Sequence, residues 1–174
     1  MNFCKRYNIW LITILSVFML FGCNTEKVDV EGTPPTSEQM IEKFTITAMR
    51  EGKLEMVLKA ESAVVDESKN VAHLKFPVIK FYNEGNYLST FVTESADINM
   101  SSYDIKGNGK CTVDSANNEH LQTVDLMYSE KEGLIYSNNP VKIIRPGEKV
   151  YGTSFRSDTK LNKMVIKNQR ISID

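Results

Sequence analysis

The sequence predicts an all-β chain: an elongated β-sandwich or jelly roll of stacked short antiparallel strands. Three observations predict it. From Phe44 onward, runs of alternating apolar and polar residues are separated by turn residues, and no segment keeps a helical period. The stretch Gly133 to Asp158 packs three such runs, Leu134 to Tyr136, Val141 to Arg145 and Val150 to Phe155, between the turn signals Asn138-Asn139-Pro140 and Pro146-Gly147-Glu148. Serines inside similar short contexts recur at Ser62, Ser95, Ser129 and Ser157, spaced 33, 34 and 28 residues apart (95 − 62, 129 − 95, 157 − 129). A period of this size reads as supersecondary units that stack because none buries its apolar face alone.

The chain has 174 residues, enough for one domain with a real core. Its 21 Lys+Arg against 22 Asp+Glu offer no basic field, so nucleic acid is not an expected partner. At the N-terminus, Lys5 and Arg6 precede an apolar run from Ile9 to Phe21 that ends at Gly22-Cys23. A positive start, an apolar run of this length and a small residue before the cut form an export signal, and the run is shorter than the ~20 apolar residues of a spanning helix. Leu20-Phe21-Gly22-Cys23 reads as a lipobox, with residues 1–22 a lipoprotein-type signal peptide and Cys23 the lipid anchor. Phe21 is bulkier than the small residue usual there, and an uncleaved N-terminal membrane helix is the competing anchor. Asn24, where Asp is associated with inner-membrane retention, leaves the outer membrane as an alternative address.

Residues 23–40 are charged and small, with Thr33-Pro34-Pro35-Thr36 and no hydrophobic period, and are expected to form a flexible tether. The folded domain is expected over 41–174. Ser37 is placed to cap a short helical turn through Lys43, and strand alternation starts at Phe44. Phe44, Ile46 and Ala48 alternate with polar neighbours; after Arg50-Glu51-Gly52 come Leu54, Met56, Leu58 and Ala60, a hairpin with one wet face. Further strands are expected at 63–65, 71–76, 78–82, 88–93, 96–100, 103–106, 111–114, 121–128 and 164–173, with turns at 83–86, 106–109 and 117–118.

The chemistry of catalysis is missing. His73 and His120 have no Cys, Asp or Glu at metal-ligand spacing, so no metal is expected. There is no Gly-x-Ser-x-Gly elbow, and Gly107-Asn108-Gly109 reads as a hairpin turn because no helix follows it to cradle phosphate. Of Cys4, Cys23 and Cys111, only Cys111 would remain as a free thiol, on the apolar face of a strand. No catalytic residue and no cofactor are assigned, and the chain is read as a non-enzyme.

The segments Lys59-Ala60-Glu61-Ser62-Ala63, Phe76-Pro77-Val78-Ile79-Lys80-Phe81-Tyr82, Glu94-Ser95-Ala96, Asp125-Leu126-Met127-Tyr128, Ile135-Tyr136-Ser137 with Pro140-Val141, and Gly152 through Asp158 follow one another in an order that resembles the LptC and LptA family of periplasmic lipopolysaccharide-transport proteins. The anchored N-terminus makes the chain similar to LptC rather than to soluble LptA. It departs from the family's Gly-x-Gly-Phe near the end, where the second glycine is Ser154.

The resemblance implies an incompletely closed β-jelly roll with an apolar groove. Such a protein accepts lipopolysaccharide from an inner-membrane ABC transporter of the LptB/LptF/LptG kind and passes it to an LptA-like bridge protein. The implied location is the periplasmic side of the inner membrane, held by the N-terminal lipid. Groove-lining candidates are the apolar positions of inward phase: Leu54, Met56, Leu58, Phe76, Ile79, Phe81, Phe91, Ile98, Val113, Leu126, Ile143, Phe155 and Ile166. Partner-edge candidates are Phe44, Ile46 and Ala48 for the transporter side, and Met164, Ile166 and Ile171 for the bridge side. The alternative reading is an anchored β-sandwich lipoprotein that binds protein or glycan and carries no lipid. A hollow interior open at one end favours the carrier, and a closed core favours the binding module.

Overall fold

The computed structural model describes residues 38–173. The expected anchor Cys23, the expected signal segment and nearly all of the expected tether lie outside them. Thirteen strands form one antiparallel sheet: β1 (Glu38–Arg50), β2 (Lys53–Asp66), β3 (Val71–Lys75), β4 (Val78–Asn83), β5 (Asn86–Asn99), β6 (Ile105–Ser115), β7 (His120–Ser129), β8 (Leu134–Ser137), β9 (Val141–Arg145), β10 (Glu148–Gly152), β11 (Ser154–Asp158), β12 (Met164–Lys167) and β13 (Arg170–Ile173). The all-β expectation holds.

Ladder partners reveal that several short strands are halves of longer ones. β3 and β4 run one after the other between β2 and β5; β8 and β9 both pair with β7. In the same way, β11 and β10 pair with β8 and β9, and β12 and β13 with β11 and β10. The chain is thus an up-and-down meander in which nearly every pass is bent near its middle. The bends lie side by side, at Phe76-Pro77, between Thr93 and Ser95, at Asn108-Gly109, near Asp125, at Asn138 to Pro140, at Thr153 and at Asn168-Gln169. Several carry left-handed backbone, with φ of 48° at Phe76, 75° at Gly109, 51° at Asp125 and 52° at Asn168.

This line of bends folds the sheet onto itself. Phe81 on β4 and Tyr128 on β7 stand three ladder steps apart and are offset along the strands by the 115 − 105 = 10 residues that separate their register positions on β6, Ser115 and Ile105. A flat sheet would hold them more than ~30 Å apart, yet their ring centroids are 4.8 Å apart. One layer is built from residues 44–60, 78–93, 110–124, 141–152 and 170–173, the other from 38–42, 62–75, 95–108, 126–137 and 154–167. Their inner faces share one apolar cluster, with Leu58, Ile79, Phe91, Val113 and Ile143 from the first layer and Leu74, Ile105, Leu126, Ile135 and Phe155 from the second.

A bend interrupts the hydrogen-bond ladder and leaves buried backbone groups that need other partners. Buried hydroxyls supply them here. Thr93 Oγ1 donates to the Asn108 carbonyl at 3.0 Å, Thr123 Oγ1 to that of Pro140 at 3.0 Å, and Ser137 Oγ to that of Val124 at 3.0 Å. These residues are among the few buried polar ones.

Four sequence-based expectations are corrected. Residues from Glu38 extend as strand, so no helical turn precedes Phe44; pairing with 62–66 of β2 outweighs the cap signal at Ser37. Gly107-Asn108-Gly109 is a bulge inside β6, not a hairpin turn. A Cβ on Gly107 would overlap the Phe91 ring, and the Gly109 amide donates to Asp125 Oδ1 at 2.7 Å, so the same residue types that favour a turn here let two strands approach closely. The expected final strand, 164–173, is bent into β12 and β13. Finally, the serine spacing does not mark stacked units: Ser62 and Ser95 flank bends, Ser129 ends β7, and Ser157 lies inside β11. In a meander of strands 10 to 14 residues long, the chain returns to a similar place every second pass.

Candidate functional site

The inward positions read from alternation are mostly core. Leu58, Ile79, Phe91, Val113, Leu126 and Ile143 are fully buried, and Phe81 and Phe155 nearly so. Met56, Ile98 and Ile166 are partly buried against that cluster, and Leu54 is half-buried at the start of β2. Phe76 is a correction: 58 % of it is exposed, because its positive φ and the following Pro77 break the alternation and turn its side chain out.

At one end the two layers separate around a cleft of about 840 Å³, within the ~300–1,000 Å³ range of small-molecule sites. Its floor is apolar: Ile46, Ala48, Met56, Phe81, Leu88 and Tyr128. Turns frame it, those between β1 and β2, β4 and β5, β5 and β6, β7 and β8, and β11 and β12. The Phe81–Tyr128 ring contact lies at the boundary between cleft and core. Tyr128 is 8 % exposed; burial, then its hydrogen bond to Glu130, pushes its hydroxyl well above the ordinary tyrosine range, so it stays a donor, giving its proton to Glu130 Oε2 at 2.6 Å.

Arg50 spans the cleft's charged rim. From the tip of β1 its Nη2 reaches Glu130 Oε1 at 2.9 Å, beyond the end of β7, and its Nε lies 3.0 Å from Glu55 Oε1. Exposed pairs of this kind contribute about 0.2–1 kcal/mol each and weaken with salt. The rim is therefore held together by contacts that are readily exchanged.

Of the groove candidates, the structure brings Met56 and Phe81 into the cleft. Sequence reasoning missed Leu88 and Tyr128. Tyr128 shares its phase with Leu126 and was legible in principle. Leu88 was not, since simple alternation puts it opposite Phe91; a register shift at Phe81/Tyr82 accompanies its inward packing.

The edge candidates fall on the outermost strands. Among the described residues β1 pairs only with β2, β12 only with β11 and β13 only with β10. On β1, Phe44 and Ala48 are half-buried and Ile46 is 47 % exposed; on the far side Met164 and Ile166 are half-buried and Ile171 is 54 % exposed. Each outer strand thus presents unpaired backbone groups next to exposed apolar side chains.

Elsewhere, His73 Nδ1 lies 2.6 Å from Asp97 Oδ1 and His120 Nδ1 2.5 Å from Asp114 Oδ1, both on outer faces and far apart along the sheet. No cluster of three or more His, Cys, Asp or Glu that would hold a metal occurs among the described residues. Nor is any helix there long and apolar enough to cross a membrane.

Comparison with known proteins agrees with this architecture. A family model described as lipopolysaccharide-assembly, LptC-related, matches residues 9–174. No curated protein matches the chain. Among solved structures, it is similar to LptH from Pseudomonas aeruginosa, described as the LptA-homologous periplasmic component of the conserved lipopolysaccharide transport device. The TM-score is 0.53 at 12 % identity, over 68 % of this chain and 94 % of that one. At this identity the likeness shows the fold.

Proposed function

Because this chain belongs to the LptC-related family of lipopolysaccharide-assembly proteins, we propose that it is an envelope-anchored carrier that takes lipopolysaccharide from an inner-membrane ABC transporter and hands it to the next bridge protein. The observation that carries this reading is the apolar-floored cleft, opening between two layers that share a mostly apolar core. Acyl chains entering there exchange water for apolar contact, at about 0.8 kcal/mol per buried methylene.

In the closed form the positions behind Phe81 and Tyr128 pack on one another, so chains reach Leu58, Phe91 or Ile143 only as the layers part. The cleft is where parting begins, since there the layers are linked by one ring pair and exposed ion pairs. No chemistry on the lipid is needed, and none is assigned. Cys23 supplies the anchor, and the segment to residue 40 lets the domain move between partners. The edge of β1, with Phe44, Ile46 and Ala48, meets the transporter; the edge of β12 and β13, with Met164, Ile166 and Ile171, meets the bridge protein, both by strand addition. The domain works on the periplasmic side of the inner membrane.

The reading is tested by transfer. Inner-membrane vesicles containing the transporter and labelled lipopolysaccharide are mixed with the purified protein. ATP-dependent appearance of label on the protein is expected; label that stays in the vesicles with and without ATP overturns the reading.

A further inference from the structure

The rim of the cleft carries charged groups that acyl-chain binding does not use, with Glu55, Glu130, Glu132 and Asp158 set among Arg50, Lys131, Lys160 and Lys163. Its carboxylates are already engaged: Glu55 and Glu130 by Arg50, Glu132 by Arg156 Nη2 at 2.8 Å, and Asp158 Oδ1 by the backbone amide of Asn162 at 2.9 Å. Lys131, Lys160 and Lys163 line the same cleft. Lys131 sits on the turn after β7, the other two on the turn after β11. The register brings these turns side by side, since Leu134 pairs both with Ser129 and with Asp158. Three ammonium groups therefore gather on one side of a cleft floored by Met56, Phe81, Leu88 and Tyr128.

We propose that Lys131, Lys160 and Lys163 form an anion subsite for the phosphate of an acylated headgroup whose chains lie on that floor. The proposal rests on the carrier reading above and deepens it by fixing the lipid's direction: chains toward the Phe81–Tyr128 pair, phosphate at the two adjacent turns. Ammonium groups bind phosphate as point charges, without the planar match that a guanidinium requires, so three flexible lysines suit a headgroup that must also leave. Lys131 and Lys163 are exposed and Lys160 half-buried, so the attraction depends on salt over the ~8–10 Å screening length of physiological solution.

The test compares three probes on the purified protein: a hexa-acylated disaccharide lipid bearing phosphates, the same lipid dephosphorylated, and inorganic phosphate. The protein prefers the phosphorylated lipid by roughly tenfold at low salt, the product of three exposed charge pairs each worth about a factor of two. That preference shrinks as salt rises. It is lost in the triple variant Lys131→Gln, Lys160→Gln, Lys163→Gln, which keeps the affinity for the dephosphorylated lipid, and it is retained when the three lysines are replaced by arginine. Equal binding of both lipids by the unaltered protein overturns the subsite and leaves the carrier reading standing. So does a preference that survives in the glutamine variant. Inorganic phosphate binding as tightly as the lipid identifies a free-anion site and overturns the headgroup assignment. If neither lipid binds, the carrier reading falls and the subsite with it.

Discussion

Replacing Gly107 by alanine tests the folded-over sheet at its tightest point. Gly107 sits at the bend of β6, where a Cβ would overlap the Phe91 ring, stand 3.0 Å from Cys111 Sγ and 3.3 Å from a second ring carbon. Phe91 and Cys111 are fully buried, so neither can swing into solvent. Restoring a contact of about 3.5 Å requires the ring to move by about 1 Å against a close-packed interior. Overpacking of this kind costs about 1–3 kcal/mol. At about 4 °C per kcal/mol for a domain of this size, the midpoint falls by about 4–12 °C. Phe91→Leu alone leaves a small cavity and costs about 1 kcal/mol. In the double variant the shortened side chain makes room for the new methyl, so the two changes couple favourably by about 1 kcal/mol or more. Urea denaturation of the four proteins measures the cycle. A Gly107→Ala variant within about 0.5 kcal/mol of the parent, or strictly additive effects, would refute the reasoning.

Two further outcomes follow from single residues. Asp66 ends β2 and accepts from Lys69 Nζ at 2.7 Å, from Ser68 Oγ at 2.6 Å and from the Lys69 amide at 3.1 Å. These bonds, that to the Lys69 side chain first, hold its carboxyl well below the ordinary carboxylate range. A lowered folded pKa contributes stability that is complete above the unfolded value of about 4 and is lost as pH falls below it. Asp66→Asn is therefore less stable than the parent at pH 7, and the difference narrows below about pH 4; melting curves across pH check it, and a constant difference counts against it. Cys111 is fully buried, and burial pushes its thiol pKa up. Aromatic disulfide reagents therefore modify it only as fast as the sheet opens, with urea accelerating the reaction in step with unfolding. Rapid labelling of the native protein counts against the packing of the two layers behind the Phe81–Tyr128 pair.

Much of the fold was legible because alternation survives in long strands. Leu58, Ile79, Phe91, Val113, Leu126 and Ile143 were assigned inward from phase alone and are fully buried. What was not legible arises where alternation breaks. Phe76 has the phase of an inward residue until the bend at Pro77 reverses it. Gly107 to Gly109 carries the residue types of a hairpin turn because left-handed backbone and close approach are needed in both settings. Thr93, Thr123 and Ser137 read as polar strand positions, and their task of closing interrupted ladders emerges only when the bends align across the sheet. The cleft itself is a property of several turns far apart in sequence. Arg50, Glu130 and Lys160 have no local pattern that joins them, and it is the meander's register that sets them round one mouth.

The central claim, that lipid passes between the two layers, is tested most directly by photo-crosslinking in living cells. A light-activated residue replaces Phe81 at the mouth, or Phe91 or Ile143 deeper within, and Lys142 on the opposite face of β9 serves as control. The account expects lipopolysaccharide adducts at the inward positions, strongest at Phe81, that disappear on ATP depletion and never form at Lys142. Protein adducts alone, or none at any inward position in a protein that folds normally, would contradict it.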